Sequence, residues 1–482
     1  MKQIQQERAS VSIAKNSLYV IGAQIFSKAL ILLFYAIVAR HLGDSGIGKY
    51  SFILSLIGIA TIFANFGFDN LIVRDIAQDR AGASKYLINI CHIKILLAAA
   101  TSSILIVFIS LTQKTADVIQ CLYIICLTIF FEGISNAIES IFNAFERLKY
   151  IAYVEAAVNI LKVGLAVLIH SQNLGLIHLI WGVVFLSFIR VLIDAYILLK
   201  QFFKIRPEFD YTLISYLFKT AYPFALMGMV SVIYFRIGSI ILSFTKTDAE
   251  VGWYAASFNL ISMLMFISYG FSQAVFPVLS RFYRSSREGF LGIAEKSFHY
   301  LLIIGLPIAL GITILADKII HFVYGDQFHN SVLALKILIW SIPFIYVNSP
   351  LLRILYSANK QHVAMIISFI GMVLNILLNM FLIPRFSYLG ASISTLVSEI
   401  VNFVFYYAVV SRIFSHYIKI EPAAFRSLGA LLIMGLFVYF AKENNLFLVI
   451  ACSALLYFGS LYILKALSKY ELELIRSLVW KN

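Results

Sequence analysis

Charge is scarce in this chain. Only 13% of its 482 residues are Asp, Glu, Lys or Arg, about half the share usual in soluble domains. Proline is scarce too, with 8 residues, and cysteine more so, with 4. Cys91, Cys121, Cys126 and Cys452 all lie in apolar stretches, so neither a zinc pair nor a disulfide framework is implied. No Gly-rich loop ending in Lys-Ser or Lys-Thr occurs, which excludes ATP hydrolysis by the P-loop route. His-Glu-x-x-His is also absent, and the 9 histidines are scattered. No metal and no other cofactor is expected. Residues 1–12 are polar and the first apolar run is too long for a signal-peptide core, so no cleavable leader is expected.

Apolar residues are what the chain has in abundance, at 61%. A transmembrane helix needs roughly 20 of them, and the total suffices for a polytopic bundle with little left over for soluble domains. A soluble enzyme and a disordered chain are both excluded. The apolar runs are continuous rather than alternating in ten-residue pieces, which argues against a β-barrel. The expected fold class is therefore all-α and polytopic. It has fourteen spans, at 13–39, 47–68, 87–111, 118–142, 152–170, 177–199, 213–243, 251–276, 298–317, 332–356, 362–383, 390–410, 423–441 and 447–465.

Net charge is +14, from 38 Lys+Arg against 24 Asp+Glu. In a soluble protein this would raise nucleic acid as a partner. Here the excess reads as topology, because basic residues gather in cytoplasmic loops. With both termini inside, the inner segments hold roughly threefold more Lys and Arg than the outer links. Links 69–86, 200–212, 277–297 and 466–482 carry most of that excess. The outer links are short, so function must reside among the helices.

An internal repeat is present. Asp44-Ser45-Gly46-Ile47-Gly48-Lys49-Tyr50 and Asp248-Ala249-Glu250-Val251-Gly252-Trp253-Tyr254 stand 204 residues apart at the starts of the second and eighth spans. Leu56 and Leu260 continue the register. An even number of spans separates the two segments, so the two halves share one orientation. Parallel repeats about an axis normal to the membrane are a transporter architecture with substrate between the halves. The implied organisation is an N-lobe at 1–199, a C-lobe at 200–410, and two further helices with a cytoplasmic tail at 411–482.

Four ordered stretches carry a family resemblance. They are Ala39-Arg40-His41-Leu42-Gly43 leading to Gly48-Lys49-Tyr50-Ser51; Phe66-Gly67-Phe68-Asp69 with Val73-Arg74-Asp75; Gly252-Trp253-Tyr254-Ala255-Ala256 leading to Phe276-Pro277-Val278-Leu279-Ser280; and Tyr324-Gly325, Asn375 to Asn379, Ile383-Pro384 and Leu389-Gly390-Ala391-Ser392. The chain resembles the polysaccharide flippases of the multidrug/oligosaccharidyl-lipid/polysaccharide (MOP) exporter superfamily, and among them the Wzx type. That resemblance implies two six-helix lobes, as in the multidrug exporters and lipid II flippases. It also implies a bacterial inner membrane, and a cargo of O-antigen or capsule/exopolysaccharide repeat units on undecaprenyl pyrophosphate. The lipid bilayer and that glycan are then the partners, with the polysaccharide polymerase and chain-length regulator as protein partners. Two departures stand out. Arg236-Ile237-Gly238 replaces an Arg-Ile-Asp frequent in the family. Lys28 fits the first of two basic residues of the lipid II flippases, but Phe34 stands where the second would be, which counts against lipid II as cargo.

An ionisable group inside the bilayer costs about 2.5–3.5 kcal/mol on insertion scales and needs a reason. For the cations the resemblance supplies one: a pyrophosphate-linked headgroup is a polyanion, and Arg can grip phosphate with a fork of two donors. Lys28, Arg236, Lys162 and Lys94 are the candidate substrate-binding residues; Lys94 lies close enough to a helix end to snorkel instead. Glu132 and Glu399 are the candidate ion-coupling acids. Glu132 shares a helix face with Glu139, and an ion pair with Lys28, Lys94 or Lys162 is its structural alternative. Arg190 and Asp194, four apart, read as a local pair without a transport role. Glu155, Lys219, Asp317, Lys336 and Arg353 near helix ends read as interface anchors. Pro343 and Pro350 flank Asn348-Ser349 and mark a bent helix that could serve as a gate or hinge.

The expected activity is alternating-access flipping driven by an ion gradient, with no catalytic residue. A multidrug or cation antiporter on the same fold is the alternative. It would want an acidic interior, whereas the intramembrane excess here is basic. A membrane polymerase would want a large outer loop, and the longest outer link is only 318–331.

Overall fold

The computed structural model describes residues 2–206, 208–415 and 422–464, and is helical nearly throughout, with no strand among the described residues. The segment 466–482, expected as a cytoplasmic tail, lies outside the described residues. The helices are α1 (Lys2–Asn65), α2 (Phe68–Gln78), α3 (Ala83–Ser110), α4 (Ala116–Ile125), α5 (Leu127–Ala144), α6 (Leu148–Ser171), α7 (Leu176–Gln201), α8 (Tyr211–Thr245), α9 (Asp248–Ser285), α10 (Arg287–Tyr324), α11 (Ser331–Leu338), α12 (Ser341–Ser357), α13 (Gln361–Phe414), α14 (Pro422–Ala441) and α15 (Leu446–Ile463).

Eleven helical segments among the described residues are long and apolar enough to cross a membrane. Two of them carry a corner inside. Gly43 has φ 70° and ψ −176° within α1, a conformation that a Cβ disfavours. Ser387 has φ 52° and ψ −135° within α13. Each corner divides one long helix into two of the expected spans, and the shorter apolar stretch Arg426–Ala441 supplies the remaining one. All fourteen expected spans therefore have a helical counterpart, and the protein is a multi-pass membrane protein.

Two expected spans are broken. The span 118–142 is split between α4 and α5 at Cys126, where the Thr128 hydroxyl donates to the freed Ile125 carbonyl at 2.6 Å. The span 332–356 is split at Ile339–Trp340, between α11 and α12. Pro343 explains the second break: a proline ring collides with the carbonyl four residues back, here that of Ile339. Pro350 lies inside α12.

The chain folds into two compact units, residues 1–252 and 253–482. In the first, α1 packs on α6 and α8, while α5 packs on α2, α3 and α7. The apolar core at one end of this unit joins Phe68, Leu71, Ile72 and Ile76 of α2 to Ile138, Ile141 and Phe142 of α5. The link 69–86 thus holds an amphipathic helix that the charge count concealed. Asp210 caps α8, accepting from the Thr212 and Leu213 amides at 2.8 and 3.1 Å. Its other oxygen meets Lys85 at 2.8 Å.

In the second unit α12 packs on α10 and α13, around Leu279, Phe290, Ile354 and Tyr406. Helices α14 and α15 pack on each other and on α10, and the Tyr457 hydroxyl donates to the Ile303 carbonyl at 2.8 Å.

Individual helices are apolar outside, and their inner faces mix small and polar residues with the apolar core. On α3, Leu96, Ile104 and Val107 are exposed while Lys94, Ala98 and Ser102 are buried. That inversion suits lipid as the surrounding solvent.

Candidate functional site

The first unit holds a layer of charged side chains, and the structure sorts them into paired and unpaired. Lys94 is paired. It is 1% exposed, and its Nζ donates to Asp69 Oδ1 at 2.5 Å and to the Gly133 carbonyl at 3.1 Å. Helix α2 delivers Asp69 from its first turn. Lys94 therefore neither snorkels nor faces open space, and its place among the substrate-binding cations gives way to a structural ion pair tying α3 to α2 and α5.

Arg190 is also paired, but not as its spacing suggested. Its Nη2 and Nε both donate to Glu139 Oε1, at 2.6 and 3.1 Å. The packing of α5 on α7 places this carboxylate in front of the guanidinium, and a partner on a neighbouring helix prevails over the one four residues along. The expected Arg190–Asp194 pair is therefore not formed. Asp194 is fully buried, and neither of its carboxylate oxygens has a hydrogen-bond partner.

Lys28, Lys162 and Arg236 form no ion pair or hydrogen bond among the described residues, and all three are only partly buried. Arg236 sits on α8, which packs along α1. The phenols of Tyr35 and Tyr50, one on each side of the Gly43 corner, lie within its electrostatic reach. Their ring centroids are 6.1 Å apart. Arg236 also lies against Gly58, with Nε 3.5 Å from where a Cβ would stand. Lys162 on α6 is influenced by Glu132, Arg190 and Glu155. Glu132 makes no ion pair with Lys28, Lys94 or Lys162; its charged neighbours are Arg190 and Lys162. Around Arg236 this is a half-buried setting with two aromatic rings and a guanidinium whose fork is unused. It can accept an anionic group and stack a ring beside it.

The second unit is polar without being cationic. Glu399 is 5% exposed, and Asn348 donates to its Oε2 at 3.0 Å and to its main-chain carbonyl at 3.2 Å. Asn348 is the residue that Pro343 and Pro350 bracket, so the acid and the broken helix are joined by one amide. Asn375 donates to Ser398 Oγ at 3.2 Å, and Asn379 to Asn375 Oδ1 at 2.8 Å. Arg353 lies against aromatic rings, its guanidinium carbon 5.6 Å from the Phe276 ring and 5.7 Å from the Tyr356 ring.

Sequence reasoning missed Asp69, Tyr35, Tyr50 and Asn348 as members of these groups. Only Asp69 gave a signal: it lies at the edge of the apolar face formed by Phe68, Leu71, Ile72 and Ile76, next to Ile76. A cleft of about 440 Å³ among residues 45, 113–115 and 246–249 contains none of the expected site residues.

Comparison with known proteins agrees with this architecture. Residues 13–283 match the family model "Polysaccharide biosynthesis protein", and residues 223–381 match the MatE model. The "Probable low-salt glycan biosynthesis flippase" of Haloferax volcanii is 23% identical, over 88% of this chain and 89% of its own length. The "Capsular polysaccharide biosynthesis protein" of Staphylococcus aureus is 22% identical, over 83% of this chain and 100% of its own. Among solved structures, the lipid II flippase MurJ in an inward closed conformation superimposes with a TM-score of 0.76 at 16% identity, covering 95% of this chain and 100% of that one. The fold is that of the MOP-superfamily transporters, and with more than half of its length matched by the family model, the chain belongs to the polysaccharide biosynthesis protein family.

Proposed function

We propose that the protein is a flippase for lipid-linked glycans, moving oligosaccharide repeat units on undecaprenyl pyrophosphate from the cytoplasmic to the outer leaflet of a bacterial inner membrane. The observation that carries this reading is the set of membrane-embedded cations that form no ion pair among the described residues: Lys28, Lys162 and Arg236. A pyrophosphate supplies the anion they lack, while Tyr35 and Tyr50 beside Arg236 offer faces for the first sugar. The polyprenyl chain stays in lipid throughout. The relatives' names, a glycan biosynthesis flippase and a capsular polysaccharide biosynthesis protein, support the same cargo class.

On this reading the lobes 1–199 and 200–410 alternate access, both termini face the cytoplasm, and an ion gradient drives the cycle. Glu132 and Glu399 are acids placed to sense it. Pro343 and Pro350 set the hinge, because the break before Pro343 leads into α12, which holds Pro350 and carries Asn348 against Glu399. Lys94 contributes by holding α2, α3 and α5 in place. Polymerase and chain-length regulator act on the product.

A deletion strain tests the proposal. Accumulated lipid-linked repeat units with loss of surface polymer are expected, and chemical analysis of the accumulated pool identifies the glycan. Intact polymer without accumulation, in a strain with no redundant flippase, would move the antiporter reading, which the match to the MatE model favours, to first place.

A further inference from the structure

One acid is left over once the intramembrane pairs are formed. Asp194 on α7 is fully buried and neither oxygen is hydrogen-bonded. Glu139 repels it and Arg190 attracts it, and the Ser135 hydroxyl lies close to its carboxyl without hydrogen-bond geometry. The Ser135 hydroxyl is itself buried without a partner. The Arg190 guanidinium, one turn away, is turned to Glu139 on α5. An ionised carboxylate so placed would be desolvated, unbonded and repelled by Glu139. A neutral carboxylic acid escapes the repulsion and the larger, charge-specific part of the desolvation cost.

The other charged groups around this triad are Glu132 on α5, Glu155 and Lys162 on α6, and Asp69 on α2, which acts on Glu139. Helix α4 brings one charged residue, Asp117, which is bound to Lys49 of α1 at 2.6 Å. The remaining described charges of α1, including Lys28, make no bond to the triad.

We propose that Asp194 is a proton-binding site, and that Asp194 and Glu139 exchange one proton and one guanidinium between them. In the arrangement seen here Asp194 holds the proton and Glu139 holds Arg190. In the alternative arrangement the Asp194 O–H bond breaks, the proton goes to a Glu139 oxygen, and Arg190 swings to Asp194. Each arrangement contains one guanidinium, one carboxylate and one carboxylic acid, so the buried charge is the same in both. The exchange carries the proton from a side chain with no exposure to one that is 12% exposed. Its use in transport rests on the gradient-driven flippase reading; the protonation itself does not.

The test is infrared spectroscopy of the purified protein in lipid at neutral pH, following the carbonyl stretch of a protonated carboxylic acid. Wild type should show a component of the band that Asp194→Asn, which mimics the neutral acid and should fold, loses. Glu139→Gln should lose it as well, because Arg190 is then free to ionise Asp194. No band in wild type, or a band identical in wild type and Asp194→Asn, overturns the site. A band unchanged in Glu139→Gln overturns the exchange. In liposomes carrying a lipid-linked glycan, the wild-type rate should respond to an imposed pH gradient and the Asp194→Asn rate should not. Absence of any wild-type flipping would count against the flippase reading and leave the infrared result standing.

Discussion

Gly48 and Gly252 face each other across a helix contact with no room for a side chain on either. A Cβ on Gly48 would fall 1.7 Å from the Asp248 carbonyl oxygen, and one on Gly252 would fall 1.9 Å from that of Asp44. Adding 204 to the first pair, 48 and 44, gives 252 and 248. The contact is therefore reciprocal, as a local twofold relation between the repeated motifs requires. Forcing a side chain into such a contact costs about 1–3 kcal/mol. Gly48→Ala and Gly252→Ala should each lower the thermal midpoint in detergent, and by similar amounts. A large effect from one and none from the other would contradict the reciprocity.

The unused fork of Arg236 makes a graded prediction. Arg236→Ala and Lys28→Ala should abolish surface polysaccharide at normal protein levels. Arg236→Lys keeps the charge and loses the planar fork, so it should retain an intermediate rate. A charge-assisted hydrogen bond is worth about 1.5–3 kcal/mol, which corresponds to roughly tenfold to a hundredfold in rate. Full activity of both alanine variants would sink the cation assignment.

For Lys94 the expected defect is one of folding. Removing one partner of a buried ion pair costs about 3–5 kcal/mol, whereas replacing both with apolar groups can be neutral. Lys94→Met alone should reduce thermal stability and protein yield, and Lys94→Met with Asp69→Leu should restore both. If the double variant is stable yet flips nothing, Lys94 belongs with the cargo after all.

Acid sensitivity has a local origin at Asp210. The Lys85 ammonium, then the Thr212 hydroxyl and the Leu213 amide, hold its carboxyl well below the usual carboxylate range. A depressed folded value stabilises the fold above the unfolded value, about pH 3.9, and the contribution disappears as pH falls through the folded value. Asp210→Asn should therefore melt below wild type at neutral pH, and the two melting curves should converge in acid. A gap of constant size across that range would assign the loss to helix capping alone.

Much of the fold was legible because lipid demands continuous apolar runs, and those runs delimit α3, α6 and α7 without tertiary knowledge. The corner at Gly43 and the break before Pro343 follow from backbone chemistry that single residues announce. The pairing of charges was not legible. Arg190 has Asp194 at helical spacing, and only the packing of α5 on α7 reveals that Glu139 takes the guanidinium. Lys94 finds Asp69, 25 residues away in sequence, through α2, whose charged residues made it look like a loop. Glu399 has no partner on its own helix at the sequence level, and Asn348 reaches it from 51 residues away.

The unpaired cations of the first unit also bear on membrane voltage. Loaded with pyrophosphate, the charges around Lys28, Lys162 and Arg236 are close to balanced; without cargo they are not. A potential of 100 mV acts on each fully displaced elementary charge with about 2.3 kcal/mol, so on the proposed function the inside-negative potential acts mainly on the empty carrier and favours its return to the cytoplasmic side. Collapsing the voltage at constant pH gradient should then slow multiple turnovers and leave the first turnover unchanged. Equal slowing of both would remove voltage from the return step.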